Sequence, residues 1–501
     1  MRDGHALADY EAVKPPRWLE PRGEDAAVSV SGEAAPPADA PHDASESSRV
    51  ARRKRGRRDA ESPADAPAEI WGRPRGHLAS YVGLLLFTAF VYFRPYELFS
   101  LPALADGAQY LAILTLIAFV PSQLGSEGNL TARPREVNLA LLLTLAAVLS
   151  IPLAISPGEA WDNFLDFGKV ILMFVVMVNV VRTERRLRWL LLLTLAASLT
   201  MSVAALNDYA AGNFGRDGRV KGIIGGLFDN PNDLALYLVT SAPIALCLAL
   251  GRRGLIKQLV YGLAAVVIGA AIVLTFSRGG FLGLLAASGV LAWKLARKHR
   301  ALVVVLTVVV AAVFVAAAPG EYGNRLSSIF GGDATGSAGA RTALFWRSVL
   351  VSLRYPIFGV GLGNFHFKSI QEQVSHNSYT QIAAEMGMAA LAVYCLFMIT
   401  PLRRLRRIER ETLEVKDRAR FYYLAAGLQA SLVGYMVSSF FASVAHLWYV
   451  YYLVGYAVCL RRLYAYEEGR AAAAAKAAEE VQVGDARPDA HAAGALEGLK
   501  V

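Results

Sequence analysis

Apolar stretches of about twenty residues, separated by short polar loops, recur from about residue 78 to residue 460. Each approaches the ~20 residues that an α-helix needs to cross a bilayer. The pattern predicts about twelve spans, near 78–94, 104–121, 137–154, 162–181, 187–206, 232–250, 256–275, 280–296, 301–318, 378–400, 420–441 and 445–462. The expected fold is all-α: a polytopic membrane domain over 78–462 with one long extracytoplasmic loop at 319–377 that contains short amphipathic helices. In that loop Leu344, Phe345, Val349, Leu350 and Leu353 recur at helical spacing, which predicts a helix on the membrane surface with Arg341 near its start, facing the headgroup layer. The flanks, 1–75 and 463–501, are rich in Ala and charged residues. They bury too little apolar surface to offset chain entropy, so both are expected to be disordered, with a transient helix in the Ala-rich run at 471–478.

Composition agrees with this class: 55% hydrophobic residues, 18% charged and a mean hydropathy of +0.37 are too apolar for a soluble chain of 501 residues. About 75 polar residues precede the first apolar stretch, so no cleavable signal peptide is expected and the first span is its own insertion signal. The three cysteines, Cys247, Cys395 and Cys459, fall within apolar spans and suggest neither a disulfide framework nor a metal site.

The formal charge of +10 is concentrated in alternate loops. Arg182, Arg185, Arg186 and Arg188 form one basic group, Arg252, Arg253 and Lys257 a second, and Lys294, Arg297, Lys298 and Arg300 a third. The run at 403–420, the pair Arg461 and Arg462, and the cluster at 52–58 complete the set. By the positive-inside tendency these loops and both termini are cytoplasmic, where the charge meets anionic headgroups; no nucleic-acid partner is implied.

Several cations then fall on the opposite side, against the topological bias. Arg216, Arg219 and Lys221 follow the fifth span, Arg278 sits in the tight turn after the seventh, and Arg341, Arg347 and Arg354 lie in the long loop. Guanidinium offers five donors in a fixed fork that suits a phosphate or pyrophosphate; snorkelling to solvent or headgroups is the alternative for each arginine alone. His376, on the same side, has an ordinary pKa near ~6.5 and can accept a proton at neutral pH, or it is simply an interfacial polar residue or cap. Asn377 and Tyr379 adjoin it as supporting candidates.

Asp166 and Lys169, one turn apart in the fourth span, read first as a local pair and second as site residues. Asp229, Asn230, Asn232 and Asp233 around Pro231 read as a turn and N-cap in preference to a divalent-cation site. The glycines of 359–365 (GVGLGNF) lack the strand–turn–helix context of a nucleotide loop; they bring the backbone close to a headgroup or to neighbouring helices.

Four segments in this order between spans, 226–233 (GLFDNPND), 275–280 (TFSRGG), 355–365 (YPIFGVGLGNF) and 375–387 (SHNSYTQIAAEMG), resemble the O-antigen ligase and O-antigen polymerase superfamily. The resemblance covers 78–462; the N-terminal extension lies outside it. It implies a metal-independent, inverting glycosyltransferase without a cofactor, multi-pass in the bacterial inner membrane, with its site facing the periplasm and a role in cell-surface polysaccharide biosynthesis. It further implies a glycan donor linked to undecaprenyl diphosphate, and an acceptor that is another glycan, lipid A core or protein. His376 matches the family's base, and Arg278 and Arg341 its diphosphate-binding arginines, with Arg216 and Arg219 added from the charge pattern and Lys221 in support. The other implied partners are membrane lipids and polysaccharide assembly proteins. Polymerase and ligase remain open, as do two other classes, a transporter or flippase and a carrier-binding assembly protein without catalysis. The gathering of unusual charges at one face, not at the bilayer midplane, favours the transferase over the transporter.

Overall fold

The computed structural model describes residues 76–99, 101, 104–214, 219–220, 228, 230–296, 301 and 337–485, all within one compact unit, Pro63–Val501. Helices, joined by turns and loops, are the regular structure of these residues, with no strand among them. In order the helices are α1 (Leu78–Phe93), α2 (Gly107–Glu127), α3 (Arg135–Ser150), α4 (Pro157–Val180), α5 (Glu184–Ala210), α6 (Pro231–Leu250) and α7 (Leu255–Leu274). There follow α8 (Arg278–Ala296), α9 (Ser337–Arg354), α10 (Ser378–Met386), α11 (Met388–Thr412), α12 (Ala419–Ser438) and α13 (Trp448–Asp485).

Among the described residues nine helices are long and apolar enough to cross a membrane: α2 to α8, α11, and the stretch Lys416–Phe441 that contains α12. The apolar α1 is shorter, at 16 residues. The span expected at 301–318 lies, Ala301 apart, outside the described residues.

Two boundaries differ from the hydropathy reading. The span expected at 378–400 is broken at Gly387, whose φ of 90° ends α10 and starts α11. A Cβ there would stand 2.1 Å from the Ile357 carbonyl oxygen, and the next amide, of Met388, donates to the Pro356 carbonyl at 2.8 Å. A local packing demand thus overrides a continuous apolar run. At the other end, α13 runs 23 residues beyond Arg462 to Asp485, through the Ala-rich run where a transient helix was expected. Its extension is tied back by Arg418 to Glu468 at 3.4 Å and Arg420 to Glu467 at 2.7 Å.

The interior is built around α6, 83% of whose apolar window is buried. Small residues let its neighbours close in. A Cβ on Gly434 of α12 would lie 2.7 Å from Val239 of α6, and one on Gly283 of α8 would lie 2.8 Å from the Gly434 carbonyl oxygen. In lipid, where apolar contact gives helices little drive to associate, such close approach supplies the packing energy.

Basic residues assigned by sequence to the cytoplasmic end hold helices together. Arg461 of α13 grips Glu136 of α3 through two bonds, 2.6 and 3.1 Å, with both side chains buried. Arg182 reaches Glu127 at 2.7 Å, and Arg462 donates to the Val178 carbonyl at 2.8 Å. Buried charges persist only when paired and hydrogen-bonded, so these contacts fix how the helix ends meet.

Candidate active site

His376 sits in a turn held from all sides. Asn377 caps α10, its Oδ1 accepting from the amides of Tyr379 and Thr380 at 2.9 and 3.0 Å. Ser378 donates to the Ala442 carbonyl at 2.7 Å and accepts from the Val444 amide at 3.0 Å, locking the turn against the segment that leads into α13. Tyr379 donates to the Met436 carbonyl at 2.8 Å. Asn377 and Tyr379 therefore fix the turn. His376 itself is half-buried with φ at 52°, a left-handed conformation that costs a residue bearing a Cβ and gathers at functional sites.

Arg278 opens α8. Ser277 precedes it as the cap, its Oγ accepting from the Gly280 amide at 3.2 Å and donating to Asn232 Oδ1 at 2.9 Å. Asn230 caps α6 by accepting from the Asn232 amide at 2.9 Å, which is the turn-and-cap role expected for this segment. Arg219 spans the two loops, with Nε on the Thr275 carbonyl at 3.0 Å and Nη2 on Asn232 Oδ1 at 3.1 Å. The segments 226–233 and 275–280, forty-odd residues apart, are thus parts of one hydrogen-bonded network at their described positions. Gly279 and Gly280 permit it: a Cβ on either would collide with Phe441 or Ala235.

Arg341 lies in the first turns of α9, partly buried. Burial and the neighbouring positive charge of Arg278 hold its pKa below the usual arginine value, while the carboxylate of Asp233 opposes them. Burial and the charge of Arg341 in turn lower the pKa of His376. Four segments thereby converge electrostatically: the first turn of α6, the start of α8, the start of α9 and the turn before α10. Two clustered cations and a neutral imidazole suit an anionic group with a proton donor beside it.

Asp233 is the member that sequence reasoning passed over as part of a turn. The signal available was its place: a carboxylate at the first turn of a span, on the side that carries the surplus arginines. Asp166 and Lys169 form an ion pair of 2.9 Å with Asp166 80% exposed, the local pair of the first reading. Arg216, Lys221 and Asp229 lie outside the described residues.

The glycine-rich loop packs against neighbouring helices. The Val360 and Gly361 amides donate to the Ala384 and Glu385 carbonyls at 2.9 and 3.0 Å, and a Cβ on Gly359 (φ 69°) would stand 2.2 Å from the Glu385 carbonyl carbon. Beneath the loop Glu385 is 1% exposed. Gln381 donates to its Oε1 at 3.1 Å, and His446 Nδ1 lies 3.8 Å from its Oε2. Burial pushes the Glu385 carboxyl up to about 7, against the pull of the Gly363 and Phe365 backbone and Gln381.

The family model of O-antigen ligases matches residues 263–395, from within α7 through α8, α9 and α10 into α11. Residues 263–395 thus carry an O-antigen ligase domain, which supports the resemblance to the O-antigen ligase and polymerase superfamily. The matched stretch of this O-antigen ligase domain contains Arg278, Arg341, His376, Asn377 and Tyr379, whereas Arg219 and Asp233 precede it. With its many apolar helices the domain places the chain among multi-pass membrane proteins of glycan processing. No curated protein matches the chain.

Proposed function

We propose that the protein transfers or polymerises glycan from an undecaprenyl-diphosphate-linked donor at the periplasmic face of the bacterial inner membrane, as a metal-independent, inverting glycosyltransferase of cell-surface polysaccharide biosynthesis. The observation that carries this reading is the convergence of Arg278, Arg341 and His376 from three separate segments on one electrostatic cluster.

Arg278 and Arg341 hold the donor diphosphate. His376, kept neutral by burial and by Arg341, takes the proton of the acceptor hydroxyl as its oxygen attacks the anomeric carbon from the face opposite the diphosphate. The new glycosidic bond forms as the bond to the diphosphate breaks, and the electron pair leaves with the diphosphate. A diphosphate leaving group needs charge stabilisation more than protonation, and guanidiniums fixed before the reaction supply it; a single preorganised donor is worth roughly 3–4 kcal/mol at comparable oxyanion sites. Asp233 balances Arg341 before the donor arrives.

The test is transfer from purified undecaprenyl-diphosphate oligosaccharide in detergent with EDTA present. Turnover that is lost in His376→Ala supports the reading; longer lipid-linked chains identify a polymerase, and glycan on an added acceptor a ligase. Retained donor binding without turnover under any condition overturns it.

A further inference from the structure

Helix α9 carries an exposed apolar stripe that none of the described residues covers. Its inner face is buried: Leu344 is 2% exposed, Ser348 0%, Val351 5% and Ser352 4%. On the opposite face Trp346, Leu350 and Leu353 are 52%, 59% and 67% exposed, and Ile357, just past the helix, is 69% exposed. The spacing of 4 and 3 residues places Trp346, Leu350 and Leu353 in one line on the helix. Arg347 and Arg354, both exposed, share one edge of that line about a quarter-turn away.

The depth of the stripe follows from where α9 is anchored. Phe345 packs on Phe440, ring centroids 5.9 Å apart, and Phe440 stands at the last turn of the membrane-crossing stretch Lys416–Phe441. Eleven residues on, the Pro356 carbonyl accepts from the amide of Met388, the first residue of the membrane-crossing α11. The segment therefore bridges the ends of two spans at the same face of the bundle. A helix so placed runs along the bilayer boundary, and there an exposed stripe of Trp and Leu edged by Arg matches lipid: acyl chains against the stripe, anionic headgroup phosphates against the arginines.

We propose that α9 is an interfacial helix inserted by this stripe into the leaflet at the His376 end of the bundle. Arg341, on the same rigid helix, is then held at headgroup depth, where the diphosphate of a lipid-linked donor lies; this consequence rests on the function proposed above, while the insertion does not.

The test uses the full chain reconstituted in phosphatidylethanolamine–phosphatidylglycerol vesicles. A nitroxide is attached at Leu350→Cys or, as the aqueous reference, at Glu372→Cys on an exposed loop. The unsubstituted protein, with its three native cysteines, gives the background. Collision with oxygen and with a water-soluble nickel chelate is then measured. The expected result is at least a several-fold higher oxygen-to-nickel ratio at residue 350 than at residue 372. Equal ratios overturn the proposal and leave the stripe in water as a surface for a protein partner. For the consequence, the triple variant Trp346→Ser, Leu350→Ser and Leu353→Ser is expected to raise KM for the lipid-linked donor about tenfold with kcat held. An unchanged KM removes the link to Arg341 without touching the insertion.

Discussion

Arg219 donates to Asn232 at 3.1 Å and, through its other arm, to the Thr275 carbonyl at 3.0 Å, so one guanidinium joins the loop ahead of α6 to the turn that presents Arg278. A lysine offers a point charge that cannot serve two acceptors in a fixed geometry. Arg219→Lys is expected to cost about 1.5–3 kcal/mol through loss of a charge-assisted bond. The measurable result is a lower unfolding temperature and lower kcat with donor Kd held. A rise in donor Kd as large as that of an Arg278 variant would instead place Arg219 among the ligand contacts, as the charge pattern in the sequence first suggested.

For Arg278 the expectation is the reverse. It opens α8 beside the cation of Arg341, and its capping network is made by Ser277 and Asn232. Arg278→Lys should keep the start of α8 folded, because the cap is made by Ser277 and Asn232. Donor Kd, read by titration of the lipid-linked donor, should weaken about tenfold or more, since the planar fork that grips a diphosphate is lost. Unchanged donor affinity would sink the diphosphate assignment.

The pH profile tests His376. Burial and Arg341 both favour the neutral imidazole, so its folded pKa is below the ordinary value of ~6.5 and the base stays competent beneath that pH. The acid limb of kcat/KM should fall accordingly. In Arg341→Gln one of the two causes is gone, so the limb should move to higher pH, whatever happens to the absolute rate. A limb that stays put would separate Arg341 from His376. His376→Ala should lower kcat by about 100- to 10,000-fold, the usual contribution of a general base.

Glu385 gives a stability prediction. Its folded pKa, raised to about 7, exceeds the ordinary carboxylate value near ~4.3, so the folded state binds this proton more tightly than the unfolded one. The contribution to stability is therefore full below the unfolded pKa and is lost as pH rises toward 7. Unfolding temperature should decline over that window in the native chain, and the decline should flatten in Glu385→Gln, which stays neutral. The same slope in both proteins would show that some other group carries it.

Much of this protein is written in its sequence. A bilayer leaves a chain few solutions, so runs of about twenty apolar residues fix helices, and among the described residues nine helices are long and apolar enough to cross. Cations placed against the expected topological bias singled out Arg278 and Arg341, and the side chain that could exchange a proton at neutral pH singled out His376, as the residues on which the proposed function rests. Even the cap role of Asn230 was legible, because capping depends on the next few residues alone.

What periodicity could not decide was how distant segments meet. The break at Gly387 is invisible to hydropathy because its cause is the Ile357 carbonyl, thirty residues earlier in the chain. Arg219 looks like any surplus cation until Thr275 and Asn232 are brought to it. Asp233 reads as turn chemistry until α9 places Arg341 within its field. Local pattern determines which residues are helical and which side of a span a charge occupies. Only the packing of helices determines which of those charges share a dielectric, and it is that shared environment that separates a cation binding a ligand from a cation holding two loops together.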